Sequence, residues 1–209
     1  MKLIPLNLNQ YTIWTANQLD GYGSKHLPAV IKNIVQCRQK PVKTCLEHFS
    51  GPGYIGLALL STGFTERLVL ADIHEPAREA VDKTIHDNNL HDKVEFICSD
   101  CFDSIPPQQF ELIVGNPPHF NFIAPQLEED DPFEEKRKHS DIDWKAHKKF
   151  YSQVKDYLAA DGDIIMWENV MGSNIDTFQD MIQSNNLQIT SHWIDPEWPK
   201  DAWYLQVTH

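Results

Sequence analysis

"EHFSGPGYIG", residues 47–56, places Gly51, Gly53 and Gly56 in the spacing G-x-G-x-x-G. Thr44 to Phe49 before it favours a strand, and Ile55 to Ser61 after it reads as a helix closed by Gly63. A strand that runs through such a loop into a helix suits a nucleotide-type ligand. Glycines let the backbone approach it, and an acid at the end of the next strand takes ribose hydroxyls. Asp72 meets that requirement: it lies in "RLVLADI", Arg67 to Ile73, about 20 residues beyond the central glycine.

Outward from this unit the alternation continues. Pro76 suits the first turn of a helix, with Ala77, Ala80, Val81 and Ile85 at helical spacing. Val94 to Ser99 and Phe110 to Gly115 read as strands, Asp143 to Ala160 as a long helix ended by Gly162, and Ile164 to Trp167 as a fifth strand. Ile175 to Ser184 is a further helix, and Gln188 to Ile194 and Trp203 to Val207 are the last strands. Continuous apolar strands separated by helices imply a parallel sheet covered on both faces. The last connection, "DPEWPKDA", is too short for a helical crossover, so the final strand must run antiparallel. The expected fold is α/β: a Rossmann-like seven-stranded sheet, six parallel strands with a terminal antiparallel hairpin, and helices on both faces. Ser24 to Gln36 reads as a helix, so residues 1–40 are expected to form an N-terminal helical cap on a catalytic core of 41–209, with 1–209 a single domain.

Composition narrows the partners. The 209 residues carry a formal net charge of −12, with pI near 5.2. The only dense basic run, Glu135 to His139, follows Glu128 to Asp131. Nucleic acid is therefore expected to be an unlikely partner. No apolar run reaches the roughly 18 residues of a membrane span, and Met1 to Tyr11 lacks a signal-peptide layout. Cys37, Cys45, Cys98 and Cys101 offer one CxxC and no second, so no metal is expected and a reducing, cytoplasmic compartment is.

Two cofactors suit the loop. A dinucleotide would set its pyrophosphate on the helix N-terminus. S-adenosylmethionine would offer its ammonium to Glu47, its ribose to Asp72 and its adenine amino group to Asp100. A terminal antiparallel hairpin on seven strands favours the second, leaving a dehydrogenase a distant reading. "FELIVGNPPHF", residues 110–120, then ends a buried strand on Asn116-Pro117-Pro118-His119. Neither proline can donate to a ladder, so the strand stops there with a polar side chain at its tip.

Gly51 to Gly56, Asp72, Asp100 and Asn116 to His119 fall in the order and spacing of a class I S-adenosylmethionine-dependent methyltransferase. The Asn-Pro-Pro tetrapeptide resembles the group that methylates planar amino nitrogens, including HemK-type protein-glutamine and amino-group nucleic-acid enzymes. Two positions depart from that pattern: Phe49 stands where the family usually has glycine, and His119 where it has Tyr, Phe or Trp. The resemblance implies cofactor contacts from Glu47, Gly51, Gly53, Asp72, Ile73, Asp100, Cys101 and Asn116, and a catalytic Asn116, Pro117, Pro118 and His119. A planar nitrogen is a poor nucleophile. The Asn116 side-chain carbonyl and the Pro117 backbone carbonyl can accept its two N–H bonds and favour the pyramidal transition state. His119 is expected to stack on the target, with Phe120 able to share that duty and base catalysis as its second role. Substrate-side candidates are Tyr22, Phe120, Glu168 and Trp198, with Glu197, Trp203 and Lys25-His26 near them. The expected activity is N-methylation of a protein side chain or small molecule. The alternatives are an RNA or DNA amino-group methyltransferase and a non-catalytic methyltransferase-like binding module.

Overall fold

The computed structural model describes residues 1–19, 23–122, 139–194 and 202–209. Its sheet strands are β3 (Val42–His48), β4 (Thr65–Asp72), β5 (Val94–Cys98), β6 (Phe110–Gly115), β7 (Leu158–Asn169), β8 (Gln188–Ile194) and β9 (Ala202–Thr208). They lie in the order β5-β4-β3-β6-β7-β9-β8. The first five pair in parallel. Strand β9 pairs antiparallel with both β7 and β8, so it is wedged between them while β8 points the same way as the other five. Six strands of one direction and one reversed strand are what the motifs predicted.

Side-chain alternation turns each apolar run into two packed faces. Cys45, Leu68, Leu70, Leu112, Val114 and Ile165 join the core under helices α1 (Leu27–Arg38), α2 (Tyr54–Ser61) and α3 (Ala77–Asp87). Their neighbours Leu46, Val69, Ala71, Ile113, Ile164 and Met166 join a second core under α4 (Lys145–Gln153) and α5 (Ile175–Gln183). A strand buried on both sides gains from an apolar residue at every position, which is why these segments read as continuous runs.

Two boundaries differ from expectation. The cap is not wholly helical: β1 (Ile4–Leu8) and β2 (Tyr11–Thr15) form an antiparallel hairpin before α1. Asn9 turns it at φ 50°, and Trp14 and Thr12 tie it to Thr84 of α3 and to Asn88 just beyond that helix. The long helix is also shorter than its periodicity suggested. Val154–Tyr157 tightens into a 3₁₀ turn and β7 begins at Leu158. Gly162 lies within β7, where the register against β6 slips. A Cβ there would meet the Phe110 carbonyl oxygen at 2.9 Å.

Candidate active site

The carboxyl ends of β3, β4 and β6 open onto one cavity of about 430 Å³, a size that suits a cofactor. The glycine loop is shaped by its backbone. Gly53 caps α2 at φ 84°, a left-handed conformation that favours glycine, and a Cβ there would push against the Leu70 side chain at 2.5 Å. Phe49 also adopts a left-handed φ, 57°, a conformation that costs a bulky residue roughly 1–2 kcal/mol. Its ring lines the cavity and packs on His48, on Phe150 and, at 6.4 Å and 26°, on His147.

Two carboxylates stand beneath the loop, Glu47 buried and Asp72 half-buried. Glu47, 3% exposed, accepts from the Ile55 and Gly56 N–H groups at 3.2 and 2.7 Å. Burial pushes its carboxyl up to about 8 despite those bonds, with the Asp72 charge adding to the rise. Asp72 accepts from the Gly51 and His74 N–H groups at 2.7 and 2.8 Å. Burial raises it too, and the backbone donors only partly offset that.

Asn116, Pro117, Pro118 and His119 form the facing wall. The Asn116 Oδ1 is buried without a hydrogen-bond partner. The chain beyond them is pinned: Phe120 N–H donates to the His139 carbonyl, and Asp141 N–H to the Phe120 carbonyl. Gly172 packs against the His119 carbonyl and leaves no room for a Cβ. Behind His119 lies a line of buried charge. His119 Nδ1 is 3.5 Å from Glu168 Oε2. Glu168 Oε1 is 3.2 Å from His147 Nε2, and His147 Nδ1 is 2.7 Å from Asp141 Oδ2. Asp141 also accepts from the N–H groups of Ala146 and His147 at the start of α4. Burial works against a proton on His147, but Glu168 and Asp141 outweigh it and raise the ring to about 9. Burial likewise opposes ionisation of Glu168 and Asp141, and the histidines and N–H donors around them reverse it, so both carboxyls are lowered.

The cavity thus gathers Glu47, Gly51, Asp72, Ile73, Asn116, Pro117, Pro118 and His119. Gly53 supports it from below. Asp100 and Cys101 are not brought to it. The Asp100 carboxylate is half-exposed and paired with Lys149 at 2.7 Å, and the Cys101 thiol donates to the Ala146 carbonyl. The chain after β5 thus sets both side chains against α4. Phe120 packs edge-on against His119 and beside Phe122 rather than on the cavity wall, and Glu168 is wholly buried behind it. Tyr22, Glu197 and Trp198 lie outside the described residues. Sequence reasoning missed Trp167, Leu19 and Tyr54, which line the cavity, and Asp141 and His147. The one signal for His147 was a histidine recurring on the buried face of a helix.

Fold and site together define a Rossmann-like transferase domain with a ligand cavity at the carboxyl ends of parallel strands. The chain belongs to the Methyltransferase small domain family, which matches residues 8–128, and so to the class I S-adenosylmethionine-dependent methyltransferases. It is 36% identical over 78 residues to a ribosomal protein uL3 glutamine methyltransferase of Francisella tularensis, covering 37% of this chain and 25% of that one. It is 30% identical over 111 residues to a ribosomal RNA small subunit methyltransferase C of Haemophilus influenzae, covering 53% and 31%. The chain thus spans a quarter to a third of the length of these curated relatives. Its fold matches that of an S-adenosylmethionine-dependent methyltransferase of Clostridium acetobutylicum, with TM-score 0.63, 11% identity, and 88% and 91% of the two chains covered.

One expectation is corrected. Nucleic acid was expected to be an unlikely partner on net charge, yet a relative named for ribosomal RNA aligns with 53% of this chain. Net charge sums a whole surface, whereas phosphate contact is local, so a nucleic-acid substrate is plausible. Among the described residues, no helix is long and apolar enough to cross a membrane.

Proposed function

We propose that this domain methylates a planar nitrogen, an amide of a protein side chain or an exocyclic amino group of a base, using S-adenosylmethionine. The observation that carries the reading is the Asn116 Oδ1, an acceptor buried at the cavity wall with no partner. Leaving such an atom unpaired costs roughly 1–3 kcal/mol, and a substrate N–H relieves that. The cofactor fits the opposite side. A cavity of about 430 Å³ with two backbone-held carboxylates, the buried Glu47 and the half-buried Asp72, suits a ligand bearing both an ammonium and ribose hydroxyls. When bound, S-adenosylmethionine supplies a methyl group on a cationic sulfur. The chain's own residues do the rest. Asn116 Oδ1 and the Pro117 carbonyl accept the two N–H bonds of the target and pull its lone pair out of conjugation. Pro117 and Pro118 fix φ near −65°, so the acceptors need no reordering as the nitrogen pyramidalises.

The names of the relatives favour ribosomal targets of both kinds, and the four free cysteines suit a cytoplasmic setting. The test is transfer of labelled methyl from S-adenosylmethionine to ribosomal proteins and to ribosomal RNA, with the product nitrogen identified. Tight binding of NAD in place of S-adenosylmethionine, or a methyl found on oxygen or carbon, would overturn the reading.

A further inference from the structure

The line Asp141–His147–Glu168–His119 is more than acceptor geometry at Asn116 requires. Three of its members are sealed. The His147, Glu168 and Asp141 side chains are 2%, 0% and 4% exposed, whereas His119 keeps 17% and lines the cavity. Phe178 lies flat on the His147 ring at 4.7 Å and 11°, and Phe49 stacks on it as well. His119 is therefore the member of the line that meets the cavity.

The charges assign the hydrogens. A carboxylate accepts only, so the hydrogen between His119 and Glu168 belongs to His119 Nδ1. In a neutral ring that leaves Nε2 as an acceptor. With the Asp141 and Glu168 carboxyls lowered and the His147 ring raised to about 9, the sealed three carry −1 near neutral pH. A proton arriving on His119 brings the whole line to zero.

We propose that His119 is the proton acceptor of the reaction, and that Glu168, His147 and Asp141 are positioning residues that fix its tautomer and balance its charge. The proposal rests on the planar-nitrogen reading and goes beyond stacking as the role of His119. In the step, an N–H bond of the newly methylated, cationic nitrogen breaks and its electron pair stays on nitrogen. The proton joins the Nε2 lone pair and leaves for solvent after product release. The rings packed against His119, Phe120 and Trp167, carry no charge. Among the described residues, the titratable groups sharing its cavity are Glu47, Tyr54, Asp72, His74, Glu75 and His139.

Nitrogen NMR of the ring atoms in the full chain reads the tautomer without any turnover. The expected result is a neutral His119 protonated on Nδ1, and a return to the Nε2-protonated form in Glu168→Leu. A wild-type ring protonated on Nε2 overturns the proposal, and the wild-type spectrum decides even if Glu168→Leu does not fold. The second arm is His119→Phe, which keeps a flat ring for stacking. With any acceptor that wild-type methylates, it should lose roughly 10²–10⁴-fold in turnover. A His119→Phe enzyme with the wild-type rate also overturns the proposal. Calorimetry of S-adenosylmethionine with His119→Phe separates the two readings: absent binding there and in wild-type fails the cofactor assignment, not the role of His119.

Discussion

The two sides of the cavity both bury carboxylates, and their protons behave oppositely. On the side of β3 and β4, Glu47 and Asp72 are held by backbone N–H groups, and both carboxyls are raised. On the side of β6 and β7, Glu168 and Asp141 flank His147, and both are lowered. Dipoles alone do not replace the water a carboxylate loses on burial, whereas a full cation between two carboxylates does. One side has its cation built in. The other is short of one, which is the condition of a site that receives a cationic ligand.

Removing the built-in cation should have the largest effect. His147→Ala leaves two facing carboxylates buried, so urea unfolding should show a loss of about 3–5 kcal/mol. The pH dependence has a defined sign. His147 is raised from 6.5 to about 9, so the folded state binds the extra proton. Its contribution is full below about 6.5 and is lost as pH rises through about 9. Glu47, raised from 4.5 to about 8, likewise loses stability as pH climbs across that lower window. Unfolding midpoints followed against pH for His147→Ala and Glu47→Gln should therefore remove two different stretches of one decline. If both variants keep the wild-type curve, the contrast between the two sides fails.

Next in size, Asn116→Ala should lower turnover about a hundredfold or more, the usual cost of one preorganised polar group. Its affinity for S-adenosylmethionine should stay nearly intact, because the cofactor carboxylates lie across the cavity. Asp72→Ala should do the reverse, weakening calorimetric binding by roughly 1.5–3 kcal/mol. If Asn116→Ala abolished cofactor binding, the division of labour between the walls would be wrong. The smallest effect is a proton. If the ligand ammonium neutralises Glu47, binding near pH 7 should release up to one proton, and affinity should rise with pH until about 8. Calorimetry in buffers of different ionisation enthalpy reads that release directly. Uptake instead of release would place the ammonium elsewhere.

The β-sheet was legible because strands buried on both faces must be apolar throughout, and the Asn-Pro-Pro stop and the glycine loop are backbone constraints that only a few residues satisfy. The β1–β2 hairpin was not read: Ile4–Leu8 and Tyr11–Thr15 are short, and their pairing is secured by α3, far away in sequence. The pairing of Asp100 with Lys149 was not read for a similar reason, since the two lie far apart in sequence. Asp141 and His147 were overlooked because a buried ion pair leaves no periodic signature. A histidine among Trp144, Phe150 and Tyr151 looks like one more core position until its two carboxylates are seen.

Phe49 gives the contrast between the walls a material basis. Its backbone would be more relaxed as glycine, yet its ring borders both the cavity and His147. That makes it an insulator. By keeping water from the histidinium it holds the local dielectric low, where a charge pair is felt several times more strongly than in solvent. A smaller residue at this position would ease the chain and short-circuit the line of charge behind it.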